Sequence, residues 1–390
     1  MRTISDKWIE ELPEPLVNIF QKTNADIVGI IAKRIKSIGK LSKSDIIRLS
    51  NSLDFLGNDL TKIQKSLSEA TNKSEAEIHR IFEETAKEND LFAEKFYQYR
   101  GLTPLTYDTN AELKAILQTT ENYLINKYKS LFNLSGSNLC FKWQNGMPYN
   151  IQQAYYSAVN EAITNILSGT VDYNTAIKKT VETIGYGLCE YESGTMRSID
   201  SVARMNILSS VRQMNMSYMR VHAEKYVADG IELSAHYLSA PDHLPVQGHI
   251  FTNEQFDLMQ VGADFEDVDG KEYDGFERPI GEWNCRHFPI PIVISISEPS
   301  YSKETLEEMH QNSIDKYSKT QIMRQMENNL RKMKRKRMAF SEAGNEISAK
   351  NLQKDINAYS LKYKNYCKLN NLESQIDRAR VYGYRAISTK

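Results

Sequence analysis

The sequence has few cysteines and prolines and no long apolar run. Four cysteines and ten prolines occur in 390 residues, and the cysteines lie far apart. This usage favours reduced thiols or a metal ligand over a disulfide framework. No stretch approaches the roughly 18 uncharged apolar residues of a membrane-spanning helix, which excludes a transmembrane protein. The first residues show no apolar signal segment, so we expect synthesis in the cytoplasm.

Neither charge dominates, because the formal net charge is −1, but the signs are unevenly distributed. From Ser300 onward there are 19 Lys and Arg against 10 Asp and Glu, and before it 30 against 40. The end of the chain is therefore basic and the rest acidic. This asymmetry predicts that the basic part meets an acidic partner, either nucleic acid or a protein surface.

Helical periodicity extends over about the first 230 residues, where apolar side chains recur at three-and-four spacing. Ser74 with Glu77, and Thr109 with Glu112, fit capping boxes at helix starts. Residues 134–148 are rich in Gly and Ser and predict a loop or domain boundary. A long helix with regularly spaced arginines is then expected over residues 195–228, before Gly230.

A different pattern follows from Ile231. The segments IELSAHYL and PIPIVISIS are typical of strands, and DVDGKEYDG is typical of a hairpin with an Asp-Gly turn. Helical spacing returns at Lys303, and Met323, Met326, Leu330 and Met333 form a coiled-coil-like stripe.

These patterns predict a mainly α protein with a small α+β module. The expected divisions are a helical N-terminal region (1–140), a helical region ending in the Arg-spaced helix (141–230), the module (231–298) and a basic helical tail (299–390).

Three segments carry a family resemblance. SAHYLSAPDHLPVQGHIFT follows the Arg-spaced helix, NCRHFPIPIV comes next, and YSKTQIMRQMENNLRKMKRKR lies within the tail. In that order, over about residues 190–340, they resemble the phage minor capsid protein 2 family, which is related to Mu F-like head-morphogenesis proteins. Ala240, Pro241 and Asp242 depart from the Ala-Arg-Pro expected before the second histidine.

The resemblance implies a compact β-containing module like that of Mu F and a structural protein without enzymatic activity. It further implies a place in the virion, at the portal vertex, with a part in capsid assembly, DNA packaging or DNA ejection. The implied partners are the portal protein, the major capsid or scaffold protein, and packaged double-stranded DNA.

The identifying motifs contain a candidate zinc site. His236, His243, Cys285 and His287 offer the nitrogen and sulfur ligands that zinc prefers, and a structural ion would stabilise a small module with little core. His249 is a spare candidate. The spacing matches no standard zinc motif, so buried hydrogen-bonded histidines and a small buried cysteine remain an open alternative.

Two other functions compete with the structural one. Asp242-His243 with Asn284 and His287 imitates an HNH nuclease, although the prolines after His287 cannot continue the helix that fold needs. The second competing function is that of a non-viral scaffold protein that binds nucleic acid.

The basic run of the tail provides the expected contact surface. The residues expected to contact DNA or a partner are Arg331, Lys332, Lys334, Arg335, Lys336 and Arg337.

Overall fold

The computed structural model describes residues 6–38, 44, 54–131, 142–144, 147–149, 160, 164, 175, 188–190, 196–267, 270–282 and 285–389. The helices are α1 (Asp6–Glu11), α2 (Glu14–Ile38), α3 (Asp54–Arg100), α4 (Ala111–Leu131), α5 (Ile199–Lys225), α6 (Asn253–Val261), α7 (Lys303–Ala343), α8 (Glu346–Leu369) and a 3-10 helix (Ile376–Ala379). The strands are β1 (Lys142–Gln144), β2 (Met147–Tyr149), β3 (Leu188–Glu190), β4 (Met196–Ser198), β5 (Gly230–Leu233), β6 (Ile250–Thr252), β7 (Phe265–Glu266), β8 (Glu272–Tyr273) and β9 (Pro289–Ile292).

The mainly α fold class with a small β-containing module is confirmed. Of the helices in the described ranges, none is both long and apolar enough to cross a membrane. The chain folds into two compact units, each assembled from separate segments. Unit 1 comprises residues 1–14, 77–125 and 204–321, and unit 2 comprises residues 15–76, 126–203 and 322–390.

In unit 2, α7 and α8 form a helical hairpin around the predicted methionine stripe. Met323, Met326 and Leu330 are buried in one apolar cluster with residues of α8 and the 3-10 helix. Tyr363 of α8 lies at its centre, where its hydroxyl donates to Glu327 at 3.0 Å. Because both helices contribute apolar side chains at helical spacing, burial of this stripe holds the hairpin together.

In unit 1, a three-stranded antiparallel sheet organises the module. β5 is the central strand, between β6 and β9. All four residues of β5 are buried, so the strand is covered on both faces. The module core includes Leu233 and Phe251 of this sheet, Phe256 of α6, and Phe265 and Tyr273 of the β7–β8 hairpin.

The module differs in detail from the sequence prediction. The first strand ends at Leu233, so Ser234–Leu238 are not part of it. The predicted hairpin is present as β7 and β8, although Val268 and Asp269 of its turn lie outside the described residues. Helix α6 was not predicted, and it begins with a capping box between Thr252 and Gln255.

Several helix boundaries also differ from the sequence prediction. Helix α5 begins at Ile199, after strand β4, and ends at Lys225, well before Gly230, which begins β5. The predicted loop at 134–148 contains strand β1 and most of β2, and its other residues are not described. Both predicted capping boxes are wrong. Ser74 lies inside α3 and donates to the Ala70 carbonyl, and the residue that caps α4 is Asn110.

Candidate functional site

The loops with the predicted metal ligands meet at one end of the three-stranded sheet. β5 is antiparallel to both of its neighbours, so its last residues lie beside the first residues of β6 and β9. Leu233 at the end of β5, for example, pairs with Pro289 at the start of β9. The histidines that follow β5 and the Cys-x-His segment that precedes β9 therefore lie at the same end of the sheet.

Backbone hydrogen bonds hold these loops in place. The Ser234 amide donates to the Phe288 carbonyl, and the Phe288 amide donates to the Ser234 hydroxyl oxygen, both at 3.0 Å. The Gly248 amide donates to the Leu233 carbonyl at 2.8 Å. Gly248 has φ of 73°, and a Cβ at this position would collide with Leu306. Glycine is therefore favoured by the backbone conformation, and a larger residue would also require the Leu306 side chain to move.

Three of the four predicted ligands form one buried group. One ligand atom from each of His243, Cys285 and His287 lies within 4.8 Å of the other two. The residues are 0%, 1% and 1% exposed. His236 is outside this group, but its ring centroid lies 4.5 Å from that of His287. The sequence prediction therefore selected residues that the fold brings together across a separation of more than forty positions.

The hydrogen bonds of His243 define its protonation. Its Nε2 lies 2.7 Å from the Arg278 carbonyl oxygen, which can only accept, so the ring proton is on Nε2. The unprotonated Nδ1 is buried and makes no hydrogen bond. The Arg278 guanidinium in turn donates to the Asp242 carboxylate at 2.9 and 3.2 Å, which keeps this segment beside the histidine.

His287 is held in a similar way. Its Nδ1 lies 3.5 Å from the Cys285 sulfur, and its Nε2 lies 3.3 Å from the Ser239 hydroxyl and 3.4 Å from the Gln247 side-chain oxygen. Gln247 also accepts from the His236 amide at 3.3 Å. With Nε2–H donating to these oxygens, the lone pair of His287 is on the side of the sulfur.

Burial keeps the group neutral near pH 7. It lowers the pKa of His236 to about 4 and lowers the pKa of His243 below its ordinary value. Burial also lowers the pKa of His287 well below its ordinary value, and the neighbouring histidines add to this effect. Burial also raises the pKa of the Cys285 thiol. All three histidines therefore have the neutral form that can donate a lone pair to a cation.

The same geometry fits a nuclease poorly. The chain after His287 continues into strand β9, whereas an HNH site needs a helix there. His243 is fully buried and its Nε2 is hydrogen-bonded to the Arg278 carbonyl, whereas a general base needs access to water and substrate. Asn284 lies outside the described residues. The neighbouring Arg286 forms an ion pair with Glu10 at 2.8 Å.

Much of the basic run 331–337 is engaged inside unit 2. The Arg335 guanidinium, in a residue only 7% exposed, donates to the Asp200 carboxylate at 2.6 Å. Asp200 also accepts from Gln21 at 3.0 Å, and the Arg331 Nε lies 3.9 Å from the same carboxylate. A cation that the sequence predicts to be on a contact surface is therefore the partner of a buried carboxylate.

Other cations of this run hold the C-terminal segment, residues 376–385. Three of them donate to backbone carbonyls there: Arg331 to Arg378, Lys334 to Ala379 at 2.6 Å, and Arg337 to Arg385 at 2.6 Å. Lys332 is exposed, and Lys336 is partly buried with its ammonium over the Phe340 ring. Contact with DNA or a partner stays a prediction for the run, in which Lys332 is the exposed cation.

Arg278 and Ser239 were not predicted from the sequence. The Arg278 carbonyl contacts His243 Nε2, and the Ser239 hydroxyl contacts His287 Nε2. Arg278 belongs to the same site as Asp242, 36 positions earlier, through the ion pair between their side chains. The available signal was that Arg278 is one of three Lys or Arg among 11 acidic residues between Ser234 and Ile290. A cation in a segment so rich in carboxylates is a candidate for a specific carboxylate partner.

Comparison with known proteins gives a match over nearly the whole chain. A family model described as phage minor capsid protein 2 matches residues 4–368. No curated protein and no solved structure matches the chain. The family match includes the buried His/Cys group, and it also includes the helical N-terminal half, where the sequence motifs were less specific.

Proposed function

Because the chain belongs to the phage minor capsid protein 2 family, we propose that it is a head-morphogenesis protein at the portal vertex of a tailed phage. The family makes it a structural protein of the virion that contacts other head components. The proposal adds the location and the time of action, namely assembly of the head, packaging of DNA or its ejection. The portal protein and the major capsid or scaffold protein are the proposed partners.

The family match over residues 4–368 carries this proposal. The burial of the His/Cys group is consistent with it, because a site closed to solvent suits a structural role better than turnover of a substrate. A protein that acts by binding contacts its partners through its surface, so its buried residues can serve to stabilise the fold.

Co-expression with the portal and major capsid genes of the same phage tests the location. We expect the full chain to co-purify with procapsid-like particles and its copy number to follow that of the portal subunits. Quantitative mass spectrometry of particles made with and without the portal gene measures this. Incorporation that is unchanged without the portal, or that follows the major capsid protein, would contradict the portal assignment.

We further propose that the isolated chain binds double-stranded DNA through Lys332, the exposed residue of the basic run 331–337. Lys332→Glu should weaken binding to unrelated DNA sequences equally and reduce the slope of log affinity against log salt by about 1. Fluorescence anisotropy over a salt series measures both, with Lys65→Glu, an exposed lysine of α3, as the control. Salt-insensitive binding, or no binding at about 50 mM salt, would refute this contact.

A further inference from the structure

The buried group at the end of the sheet has the composition and arrangement of a metal site. His243, Cys285 and His287 come from two loops that the register of β5 and β9 brings together, with their ligand atoms within 4.8 Å of one another. Nitrogen and sulfur ligands in this combination suit Zn²⁺ and not Mg²⁺ or Ca²⁺, which take oxygen ligands.

Unused lone pairs provide a second, independent observation. The Nδ1 of His243 and the Nε2 of His236 are both buried and make no hydrogen bond with the described protein atoms. Each ring uses its other nitrogen for a carbonyl oxygen: Arg278 for His243 at 2.7 Å, and Tyr237 for His236 at 3.2 Å. Buried nitrogens left in this state disfavour folding unless something satisfies them.

The outer hydrogen bonds also match those of metal-bound histidines. A histidine ligand usually donates its remaining N–H to a carbonyl, a carboxylate or water, which fixes the ring and raises its basicity. His243 does so to Arg278, and His287 has the Ser239 and Gln247 oxygens within reach of its Nε2. The Nδ1 of His287, on the other side of its ring, lies 3.5 Å from the Cys285 sulfur, so these two ligand atoms are already side by side.

We propose that this group binds one structural Zn²⁺ ion. Three ligands come from the group itself: His243 Nδ1, Cys285 Sγ and His287 Nδ1. We assign the fourth position to His236, which lies outside this group but has a buried Nε2 without a hydrogen bond and a ring centroid 4.5 Å from that of His287. Binding replaces the thiol proton of Cys285 with the metal and releases that proton to solvent. Because the residues are almost fully buried, the site has no open position for substrate, and the ion would tie the loop after β5 to the segment before β9.

Metal analysis of the full-length protein tests the proposal. We expect about one zinc per chain by mass spectrometry after purification under reducing conditions or after addition of Zn²⁺ and removal of the excess. Cobalt substitution should give the absorption bands of tetrahedral Co²⁺ with a thiolate ligand. A value below about 0.2 equivalents after Zn²⁺ addition overturns the proposal.

Variants identify the ligands. Cys285→Ser and His243→Gln should each lose at least about five-fold in bound zinc, and Cys285→Ser should also lose the thiolate-to-cobalt band. His249→Ala is the matched control, because His249 is an exposed histidine of the same module and should keep full zinc. Full zinc in a folded Cys285→Ser variant contradicts the assignment. If the ligand variants do not fold, the zinc content and cobalt spectrum of the unsubstituted chain still decide it.

Discussion

Replacing Asp200 with alanine should destabilise unit 2 by about 3–5 kcal/mol, since it leaves a buried guanidinium without its carboxylate. Asp200 is 3% exposed and Arg335 is 7% exposed, and their side chains are 2.6 Å apart. Native-state hydrogen exchange resolved by peptide measures the free energy of unfolding within each unit.

Two control variants separate the buried pair from ordinary surface charge. Glu342→Ala removes the partner of Lys33 in an exposed ion pair of the same unit and should cost no more than about 1 kcal/mol. The double variant Asp200→Leu with Arg335→Met should recover part of the stability lost in Asp200→Ala, because the Arg335 guanidinium is then no longer buried without its carboxylate, whereas Arg331 still loses its ion pair with Asp200. Equal effects of Asp200→Ala and Glu342→Ala would argue against a buried pair.

Phe251→Ala should destabilise the module of unit 1 by about 3–5 kcal/mol. Phe251 is fully buried on β6, and its ring packs edge-on against Phe265 and Tyr273, with centroids 5.8 and 6.4 Å away. Truncation removes apolar burial and leaves a cavity between the sheet and the aromatic rings of the β7–β8 hairpin. The exchange rates of amides in β5 and β6 report the loss.

Tyr99→Ala provides the matched aromatic control in unit 1. Tyr99 is 76% exposed on α3, so its removal should change the free energy of unfolding by no more than about 0.5 kcal/mol. If Phe251→Ala cost less than about 1 kcal/mol, the module core would have to be organised around other side chains.

The sequence predicted the features that depend on periodicity. Apolar spacing was enough to identify the helical regions, and the stripe from Met323 to Met333 is at the α7–α8 interface. Alternation and turn residues were enough for the β7–β8 hairpin. These signals are local, so one sequence contains all the information needed to read them.

Local rules failed where burial decided the structure. The Ser-x-x-Glu pattern at Ser74 lies within α3, where the serine side chain bonds the preceding turn instead of capping a helix. The same type of pattern at Thr252 does cap α6, but the sequence analysis did not identify it. A capping motif does not show whether the residues before it are already helical, and it therefore cannot by itself predict where a helix begins.

Distant partners explain the remaining differences. The run of cations after Leu330 has the composition of a solvated face, but Asp200 precedes Arg335 by 135 positions and pairs with it. Likewise, the four candidate ligands could be selected by residue type, whereas the tautomers of His243 and His236 depend on the Arg278 and Tyr237 carbonyls. Such pairings follow from the tertiary fold and have no local signature.

The contacts of the C-terminal segment respond differently to substitution at their two ends. Arg331, Lys334 and Arg337 donate to main-chain oxygens of that segment, and every amino acid supplies such an oxygen. Replacing the exposed Arg385 therefore leaves the hydrogen bond from Arg337 in place, whereas replacing Arg337 removes it. Ala379 is different, because its side chain is also fully buried in the apolar cluster of α7 and α8.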